Sequence, residues 1–221
     1  MAAAVLPVGA TLAPSAYPEE HAVTARAVPA RRRQFFTGRA CAHLALAGVG
    51  RDDAGIGRGS HREPLWPAGA VGSISHAGAL AGAVAARSAD VWALGLDIET
   101  LDPPLDPAVQ RLVHTAAELA PAATRSLAPP ALRPYRSKIA FSAKECVYKA
   151  LFPATGWPLD FHDATVAVDL LHGRYRAVVD DRFELAGSPL RPLDGRFTVV
   201  SGYLVTALTI GVPSRLPRLT A

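Results

Sequence analysis

The stretch LGLDIE at positions 94–99 predicts a strand that ends in two carboxylates. Side chains alternate between the faces of a strand, so Asp97 and Glu99 share one face while Ile98 points into the core. The carboxylate face is otherwise small, with Ala93 and Gly95, which predicts room for a ligand. Paired carboxylates suit Mg²⁺, which completes its shell with water and phosphate oxygens. Acidic pairs at strand ends are common, so two solvated acids are the alternative interpretation.

Composition narrows the class of protein. The chain has 221 residues, enough for one large domain or two small ones with a buried core. Half of the residues are hydrophobic and 19% are charged, as in ordinary globular proteins. The formal net charge of +4 suits an anionic ligand or an acidic protein partner. A nucleic-acid-binding protein would interleave aromatic residues with a basic stripe, but Arg31-Arg32-Arg33 is the only basic run. We therefore predict no nucleic-acid partner.

Targeting signals and cysteines predict a cytoplasmic location. Residues 1–20 lack the basic and long apolar segments of a signal peptide, and no apolar run reaches transmembrane length. Cys41 and Cys146 lie in predicted helices and show no metal-ligand spacing, so a disulfide framework is not expected. We accordingly expect no membrane partner.

The order of helices and strands predicts two α+β halves of similar size. In the first half an amphipathic helix precedes a meander of three strands, and in the second half helices precede several strands. The predicted helices span 30–47, 106–119 and 134–152, the predicted strands span 71–76, 80–86, 91–99, 164–168, 175–179, 183–185, 197–199 and 203–210, and the segments 1–30, 49–69, 120–134 and the last ten residues are irregular. The break at Asp102-Pro103-Pro104 divides the chain into residues 1–104 and 105–221.

Arginines of the first helix are candidates for binding an anion. Arg31 and Arg39 are eight residues apart, a little over two helical turns, so they lie near one face. Guanidinium groups bind phosphate through two parallel hydrogen bonds, although a solvated basic face is the alternative. The glycine-rich loop that follows lacks a P-loop or dinucleotide fingerprint, but its Arg58 and Arg62 could reach a nucleotide.

His76, Glu145 and Lys149 each have both a chemical and a structural interpretation. The predicted meander brings His76 within reach of the two carboxylates, where it could donate to a phosphate oxygen or simply be a hydrogen-bonded turn histidine. Ser75 and His76 point to opposite faces of a strand, so they are poor candidates for a nucleophile–base pair. Glu145 and Lys149 are spaced as an i,i+4 pair, which by itself only steadies a helix.

Four sequence blocks follow one another along the chain. They are Arg31 with FTGRACA at 36–42, Trp66-Pro67 with GSISH at 72–76, GLDIE at 95–99, and FSAKECVYKA at 141–150. Together they resemble the 4′-phosphopantetheinyl transferases, and the last block is the most specific. The similarity is closest to the monomeric bacterial branch that activates siderophore, peptide-antibiotic and polyketide synthases.

The resemblance implies a reaction and a role for each matched residue. A serine of an apo carrier protein would attack the β-phosphate of coenzyme A and release 3′,5′-ADP. Asp97, Glu99 and Glu145 would hold Mg²⁺, with Mn²⁺ as the alternative, on the pyrophosphate, and Glu145 or a metal-bound water would be the base. The remaining implied roles are charge stabilisation by Lys149, phosphate binding by His76 with Ser75 beside it, and coenzyme A binding by Arg31, Arg39 and Arg62.

The resemblance also implies an architecture and partners. We expect an α+β protein whose two similar halves are related by a pseudo-twofold axis, with the active site in the cleft between them. It would act as a monomer on apo acyl or peptidyl carrier proteins of polyketide, fatty acid or nonribosomal peptide synthases. The alternatives are a non-catalytic coenzyme A-binding or regulatory protein of the same fold and, from another class, a small basic nucleic-acid-binding protein.

Overall fold

Helices and antiparallel sheets make up the computed structural model, which describes residues 1–10, 15–51, 54–119, 129–185 and 188–212. The helices are α1 (Pro18–Val23), α2 (Pro29–Ala47), α3 (Pro107–Val113), α4 (Ala116–Leu119) and α5 (Arg136–Thr155), with 3₁₀ turns at Pro130–Tyr135 and Phe161–Asp163. The strands are β1 (Ala2–Pro7), β2 (Gly57–Arg58), β3 (Pro64–Leu65), β4 (Ala70–Ala77), β5 (Leu80–Arg87), β6 (Val91–Thr100), β7 (Ala164–Asp169), β8 (Arg174–Val179), β9 (Glu184–Leu185), β10 (Ser188–Pro189), β11 (Leu193–Val200) and β12 (Tyr203–Gly211). The predicted α+β class is confirmed.

Each long helix packs on an antiparallel sheet, because each presents an apolar face at the helical period. Helix α2 covers a sheet of order β1-β5-β4, and α5 covers a sheet of order β6-β12-β11-β8-β7. Two clusters of buried hydrophobic residues lie at these two interfaces. Within the described ranges no helix is long and apolar enough to cross a membrane.

The amino-terminal segment differs from the irregular structure expected for residues 1–30. Strand β1 pairs antiparallel with β5, with Ala3 opposite Val84, and its residues alternate between partly buried and exposed. The short helix α1 follows. A strand of small residues such as Ala2–Ala4 carries little propensity, so tertiary pairing decides its conformation.

Strand β6 corrects the predicted three-strand meander. Strands β4 and β5 form the expected hairpin, but β6 pairs with β12, which places Asp97 opposite Thr206. Two serines of β4 instead bond to the β6 backbone through their hydroxyls. Ser73 Oγ accepts from the Leu96 amide at 3.0 Å, and Ser75 Oγ accepts from the Ile98 amide at 3.0 Å. Strand β6 therefore belongs to the five-stranded sheet and is also bonded to β4 on its other side.

The space beside the carboxylates is occupied by protein, so the prediction that the small face leaves room for a ligand was wrong at Gly95. A Cβ on Gly95 would lie 2.1 Å from the Cys146 carbonyl oxygen of α5. The absent side chain thus lets the helix backbone approach the strand. This approach brings α5, with Glu145 and Lys149, close to Asp97.

The segment after β6 is more divided than predicted. The Asp106 side chain caps a helix by accepting from the Ala108 amide at 2.7 Å, as expected. The helix ends at Val113, however, and a separate turn forms α4. Part of the predicted loop at 120–134, namely 120–128, and nearly all of the predicted tail lie outside the described residues. The division at residue 104 and the pseudo-twofold relation stay predictions.

Candidate active site

The Asp97 carboxylate is the centre of a buried polar network, and Asp97 itself is 2% exposed. Its Oδ1 accepts from Lys149 Nζ at 2.5 Å and from Ser75 Oγ at 3.0 Å. Its Oδ2 accepts from Ser142 Oγ at 2.6 Å. The network joins three elements, β4, β6 and α5, so the fold fixes the orientation of this carboxylate.

Glu99 and Glu145 lie beside this network but have no hydrogen-bond or ion-pair partner among the described residues. Burial raises the pKa of Glu99 to about 7, and the negative charge of Asp97 adds to the effect. Burial likewise raises the pKa of Glu145, with Asp97 again contributing and Lys149 opposing. The three carboxylates therefore repel one another, and one lysine only partly neutralises them.

The donor set fits a divalent cation of the Mg²⁺ type. Such cations prefer carboxylate oxygens, and a second positive charge near Asp97, Glu99 and Glu145 would relieve their repulsion. The described part of the chain does not hold a converged group of three metal-ligating side chains. Instead, Lys149 occupies one oxygen of Asp97. The carboxylates are thus near enough to interact, but they do not yet meet at one point.

Lys149 retains its positive charge in this environment. Burial acts to lower its pKa, but the contact with Asp97 and the charge of Glu145 outweigh burial and raise it. The Lys149 side chain is 27% exposed, and its Nζ also donates to Ser75 Oγ at 3.1 Å. The amino group can therefore be reached by a ligand.

An arginine-lined cleft of about 200 Å³ opens on the other side of β4. It gathers Arg31 and Arg39 from α2, Arg58 and Arg62 from the β2–β3 hairpin, and His76 from β4. We call this the arginine cleft. The cleft thus brings together four of the residues predicted to contact coenzyme A, while Lys149 and Ser75 lie at Asp97 instead. It adds Arg58, for which sequence had suggested only that it could reach a nucleotide.

Arg39 is buried in the wall of this cleft. Its Nη2 donates to the Gly57 carbonyl at 2.9 Å, and its guanidinium lies 4.8 Å from the centre of the Phe35 ring. Burial lowers its pKa to about 10, so it stays a cation at neutral pH. Its Nε is buried and has no hydrogen-bond partner in the part of the chain that the structure describes, which leaves one donor for a ligand or a water molecule.

His76 joins the arginine cleft to the carboxylates. Its Nε2 accepts from Arg31 Nη1 at 2.8 Å, so the ring is neutral in this arrangement. Burial lowers the pKa of His76, and Arg31 and Lys149 lower it further, against Asp97. The histidine therefore feels both sites. For Nε2 to donate to a phosphate, as predicted, the ring must take the other tautomer or a proton, and Arg31 must turn away.

A second cleft, of about 400 Å³, begins at Glu145 on the far side of α5. Its walls are largely apolar and include Tyr148, Leu159 and Phe161, with Lys144 and Asp160 as further polar residues. We call this the α5 cleft. Because Glu145 lines it, this carboxylate can be reached from a direction different from that of the arginine cleft.

Sequence reasoning missed several residues that shape the site. Ser142 was given no role, although its Oγ donates to Asp97 and also lies 2.9 Å from Thr206 Oγ1. Serine and threonine are common at protein surfaces, so the sequence alone does not indicate a contact between Ser142 and Thr206. Only the pairing of β6 with β12, the strand that carries Thr206, reveals it. Lys144 was likewise given no role, although its Nζ is buried against Glu118.

Two family models match consecutive parts of the chain. A model of the 4′-phosphopantetheinyl transferase N-terminal domain matches residues 19–86, and a model of the 4′-phosphopantetheinyl transferase superfamily matches residues 93–188. The boundary between the matches falls between β5 and β6.

Similar proteins carry the same family name. The chain is 38% identical to the 4′-phosphopantetheinyl transferase Svp of Streptomyces mobaraensis, over 90% of this chain and 80% of the relative. It is also 38% identical to the 4′-phosphopantetheinyl transferase PptT of Mycobacterium tuberculosis, over 87% and 85%. Enterobactin synthase component D of Salmonella typhimurium is 39% identical over 54% of this chain and 48% of the relative. The chain belongs to the 4′-phosphopantetheinyl transferase superfamily, in the bacterial monomeric-type branch.

Proposed function

We propose that this transferase moves the 4′-phosphopantetheine group of coenzyme A to a serine hydroxyl of an apo carrier protein and releases 3′,5′-ADP. The observation that carries the proposal is the meeting of the arginine cleft and the carboxylate cluster at His76. A ligand with several phosphates needs both a cationic cradle and a centre where its pyrophosphate can react. The combination is specific to a phosphate-rich substrate and gives no support to a nucleic-acid groove.

The reaction exchanges one phosphorus–oxygen bond for another. The serine oxygen forms a bond to the β-phosphorus, and the bond from that phosphorus to the oxygen shared with the α-phosphate breaks. The serine proton goes to a base, and the leaving oxygen stays with 3′,5′-ADP. Phosphoryl transfer of this kind asks the protein chiefly for positioning and for charge stabilisation.

Glu145 is the proposed base for the serine proton. Its carboxylate has no partner among the described residues, and burial raises its pKa, which makes it a stronger base than an ordinary glutamate. It also lines the α5 cleft, from which a serine on a partner can approach. The nucleophile then comes from the carrier protein, so no internal serine–histidine pair is needed.

Lys149 and the carboxylates would receive the pyrophosphate. Lys149 Nζ can turn from Asp97 Oδ1 to a phosphate oxygen, because it lies at the edge of the network. Asp97, Glu99 and Glu145 would hold Mg²⁺, or alternatively Mn²⁺, which when bound would supply positive charge to the pyrophosphate oxygens. His76 and Ser75 lie at the junction with the arginine cleft and would bind the same phosphates from the β4 side.

The arginine cleft would bind the 3′-phosphate end of coenzyme A. Arg31, Arg39 and Arg62 are the proposed contacts, and Arg58 is a fourth guanidinium on the same wall. The net charge of +4 would steer an acidic acyl or peptidyl carrier protein toward the enzyme. We also propose that the enzyme functions as a monomer in the cytoplasm. It would serve siderophore, antibiotic or fatty acid synthesis.

A non-catalytic coenzyme A-binding or regulatory protein is the alternative. Such a protein would need the arginine cleft but not a partly neutralised carboxylate cluster. Asp97 is held by three hydrogen bonds, while Glu99 and Glu145 have no such partner among the described residues, an arrangement that favours catalysis over simple binding.

Incubation with apo carrier protein, coenzyme A and Mg²⁺ tests the proposal. We expect the carrier to gain the mass of phosphopantetheine on one serine, and the gain to stop when a chelator removes the metal. Glu145→Gln keeps the shape of the side chain and should lose most of the rate, about 10²-fold for a base. Tight binding of coenzyme A with no gain by acyl or peptidyl carriers would favour the regulatory alternative.

A further inference from the structure

Glu20 is a buried carboxylate that the proposed mechanism does not use. It lies in α1 and is 0% exposed. Its Oε2 accepts from Ser15 Oγ at 2.7 Å, and its Oε1 accepts from the Ile56 amide at 3.1 Å. His43 Nε2 lies 2.8 Å from Oε1. One carboxylate thus ties together the segment before α1, helix α2 and the residue that precedes the β2–β3 hairpin.

The hairpin fixed in this way carries two residues of the arginine cleft. Ile56 directly precedes Gly57–Arg58, and Arg62 lies in the turn that leads to β3. Arg62 has a φ of +74°, a conformation that is unfavourable for a side chain other than glycine. The hairpin is only two residues deep on each strand, so it needs contacts from outside to hold its position.

Glu20 is also a charge partner of the cleft. Burial lowers the pKa of Arg39, the nearby Arg58 lowers it further, and the negative charge of Glu20 opposes both effects. Arg39 in turn donates to Gly57, the residue after Ile56. The negative charge of Glu20 therefore favours the charged form of Arg39 and opposes its repulsion by Arg58, both of which line the cleft.

We propose that Glu20 is a positioning residue that holds the arginine hairpin against α2, so that Arg39 and Arg58 together bind the 3′-phosphate of coenzyme A. This inference rests on the proposed function. The contacts of Glu20 come from separate segments, and one of them holds Ile56, which directly precedes Gly57 and the cleft residue Arg58. Loss of the charge should therefore weaken recognition of the 3′-phosphate and leave the reacting centre intact.

The test compares coenzyme A with dephospho-coenzyme A, which lacks the 3′-phosphate. In Glu20→Gln we expect the KM for coenzyme A to rise about tenfold, since the charged acceptor that holds the hairpin is lost. We expect kcat to change less than about twofold, and the KM for dephospho-coenzyme A to stay as in the wild type. Glu19→Gln removes an exposed acid from the neighbouring position and should change neither constant.

The outcomes separate this inference from the proposed function. If the wild-type enzyme transfers no phosphopantetheine, the proposed function fails. If transfer occurs but Glu20→Gln affects both substrates equally, or neither, Glu20 is only structural. Hydrogen exchange of the wild-type protein covers the case in which the variant does not fold. Binding of 3′,5′-ADP should slow exchange in residues 15–24 and 54–65 together, and slowing confined to α2 would overturn the inference.

Discussion

Helix α5 carries two lysine–carboxylate pairs that differ in how completely their hydrogen bonds are satisfied. Lys144 pairs with Glu118 at 2.7 Å, and Lys149 pairs with Asp97 at 2.5 Å. The Lys144 side chain is 2% exposed, whereas that of Lys149 is 27% exposed. The lysines are five residues apart on one helix, so the difference comes from what surrounds each pair.

The Lys144–Glu118 pair is closed. Lys144 Nζ also donates to two backbone carbonyls, and Glu118 also accepts from two backbone amides. The carbonyls are those of Val113 and Phe161, at 2.7 and 2.8 Å, and the amides are those of Thr115 and Val166, at 2.6 and 2.7 Å. A pair saturated in this way has no capacity left for a ligand and joins α3, α4 and β7 to α5.

The Lys149–Asp97 pair is open. Glu99 and Glu145 add negative charge beside it without partners of their own in the described chain. An incompletely neutralised group of this kind lowers stability unless something else binds it. Two pairs of the same chemistry can therefore serve different purposes. The pair whose hydrogen bonds are all made stabilises the fold, and the pair with hydrogen bonds left unmade is suited to catalysis.

The largest expected effect comes from breaking the open pair at Asp97. Asp97→Asn keeps the shape but removes the charge that would bind the metal and Lys149, so transfer should fall by at least about 10³-fold. The urea midpoint should also fall, because an asparagine has one accepting oxygen and cannot accept from both Lys149 and Ser142, so the rate is taken per folded enzyme. The rate is followed as mass gain on a carrier protein. Asp90→Asn, at an exposed turn before β6, is the control, and full activity of Asp97→Asn would remove Asp97 from the site.

Removing each lysine separates the two pairs. Lys144→Met leaves Glu118 buried without its cation and should lower the free energy of unfolding by about 3 kcal/mol, as for other broken buried pairs. Lys149→Met should lower it less, because the Lys149 side chain is 27% exposed and Asp97 keeps its hydrogen bonds from Ser75 and Ser142. The transfer rates should show the reverse order, with the greater loss in Lys149→Met.

Urea unfolding measures the stability of each variant, and the transfer rate per folded enzyme measures its activity. The two measurements should rank the variants in opposite order. Methionine fills the space of the lysine stem in both variants, so each serves as the matched control for the other. Equal losses of stability in the two variants would mean that the pairs do not differ as the hydrogen bonds indicate.

Acid should weaken the closed pair at a low pH. Burial acts to raise the pKa of Glu118, but nearby His114, Lys144 and two backbone amides lower it from 4.5 to about 2. Because the folded pKa is the lower one, the stabilisation is complete above about pH 4.5 and is lost as the pH falls toward 2. This loss amounts to about 3 kcal/mol at most. Glu118→Gln should be less stable at pH 7 and should lack this component between pH 4.5 and 2, which urea titrations at several pH values can show.

The sequence predicted the open pair better than the closed one, for physical reasons. The periodicity of α2 and α5 and the alternation of β6 identify the elements that carry Arg39, Asp97 and Lys149. The sequence could not reveal that β6 pairs with β12, because a strand pattern does not specify its partner across more than a hundred residues. Lysine and glutamate are typical of solvated surfaces, so the sequence does not indicate that Lys144 and Glu118 are buried. Their burial follows only from tertiary packing.

The smallest expected effect comes from Ser142, which donates a hydrogen bond to Asp97 of the open pair. Its hydroxyl donates to Asp97 Oδ2 at 2.6 Å, on the side of the carboxylate away from Lys149. Ser142→Ala should leave Asp97 free to rotate and should lower kcat about tenfold with little change in the KM for coenzyme A, since one hydrogen bond to a charged group is lost. Thr206→Val is the control, because it removes the neighbouring hydroxyl but keeps the donor to Asp97. If Thr206→Val lowers kcat as much as Ser142→Ala does, the shared network acts as one packed unit and the orientation of Asp97 does not depend on Ser142 alone.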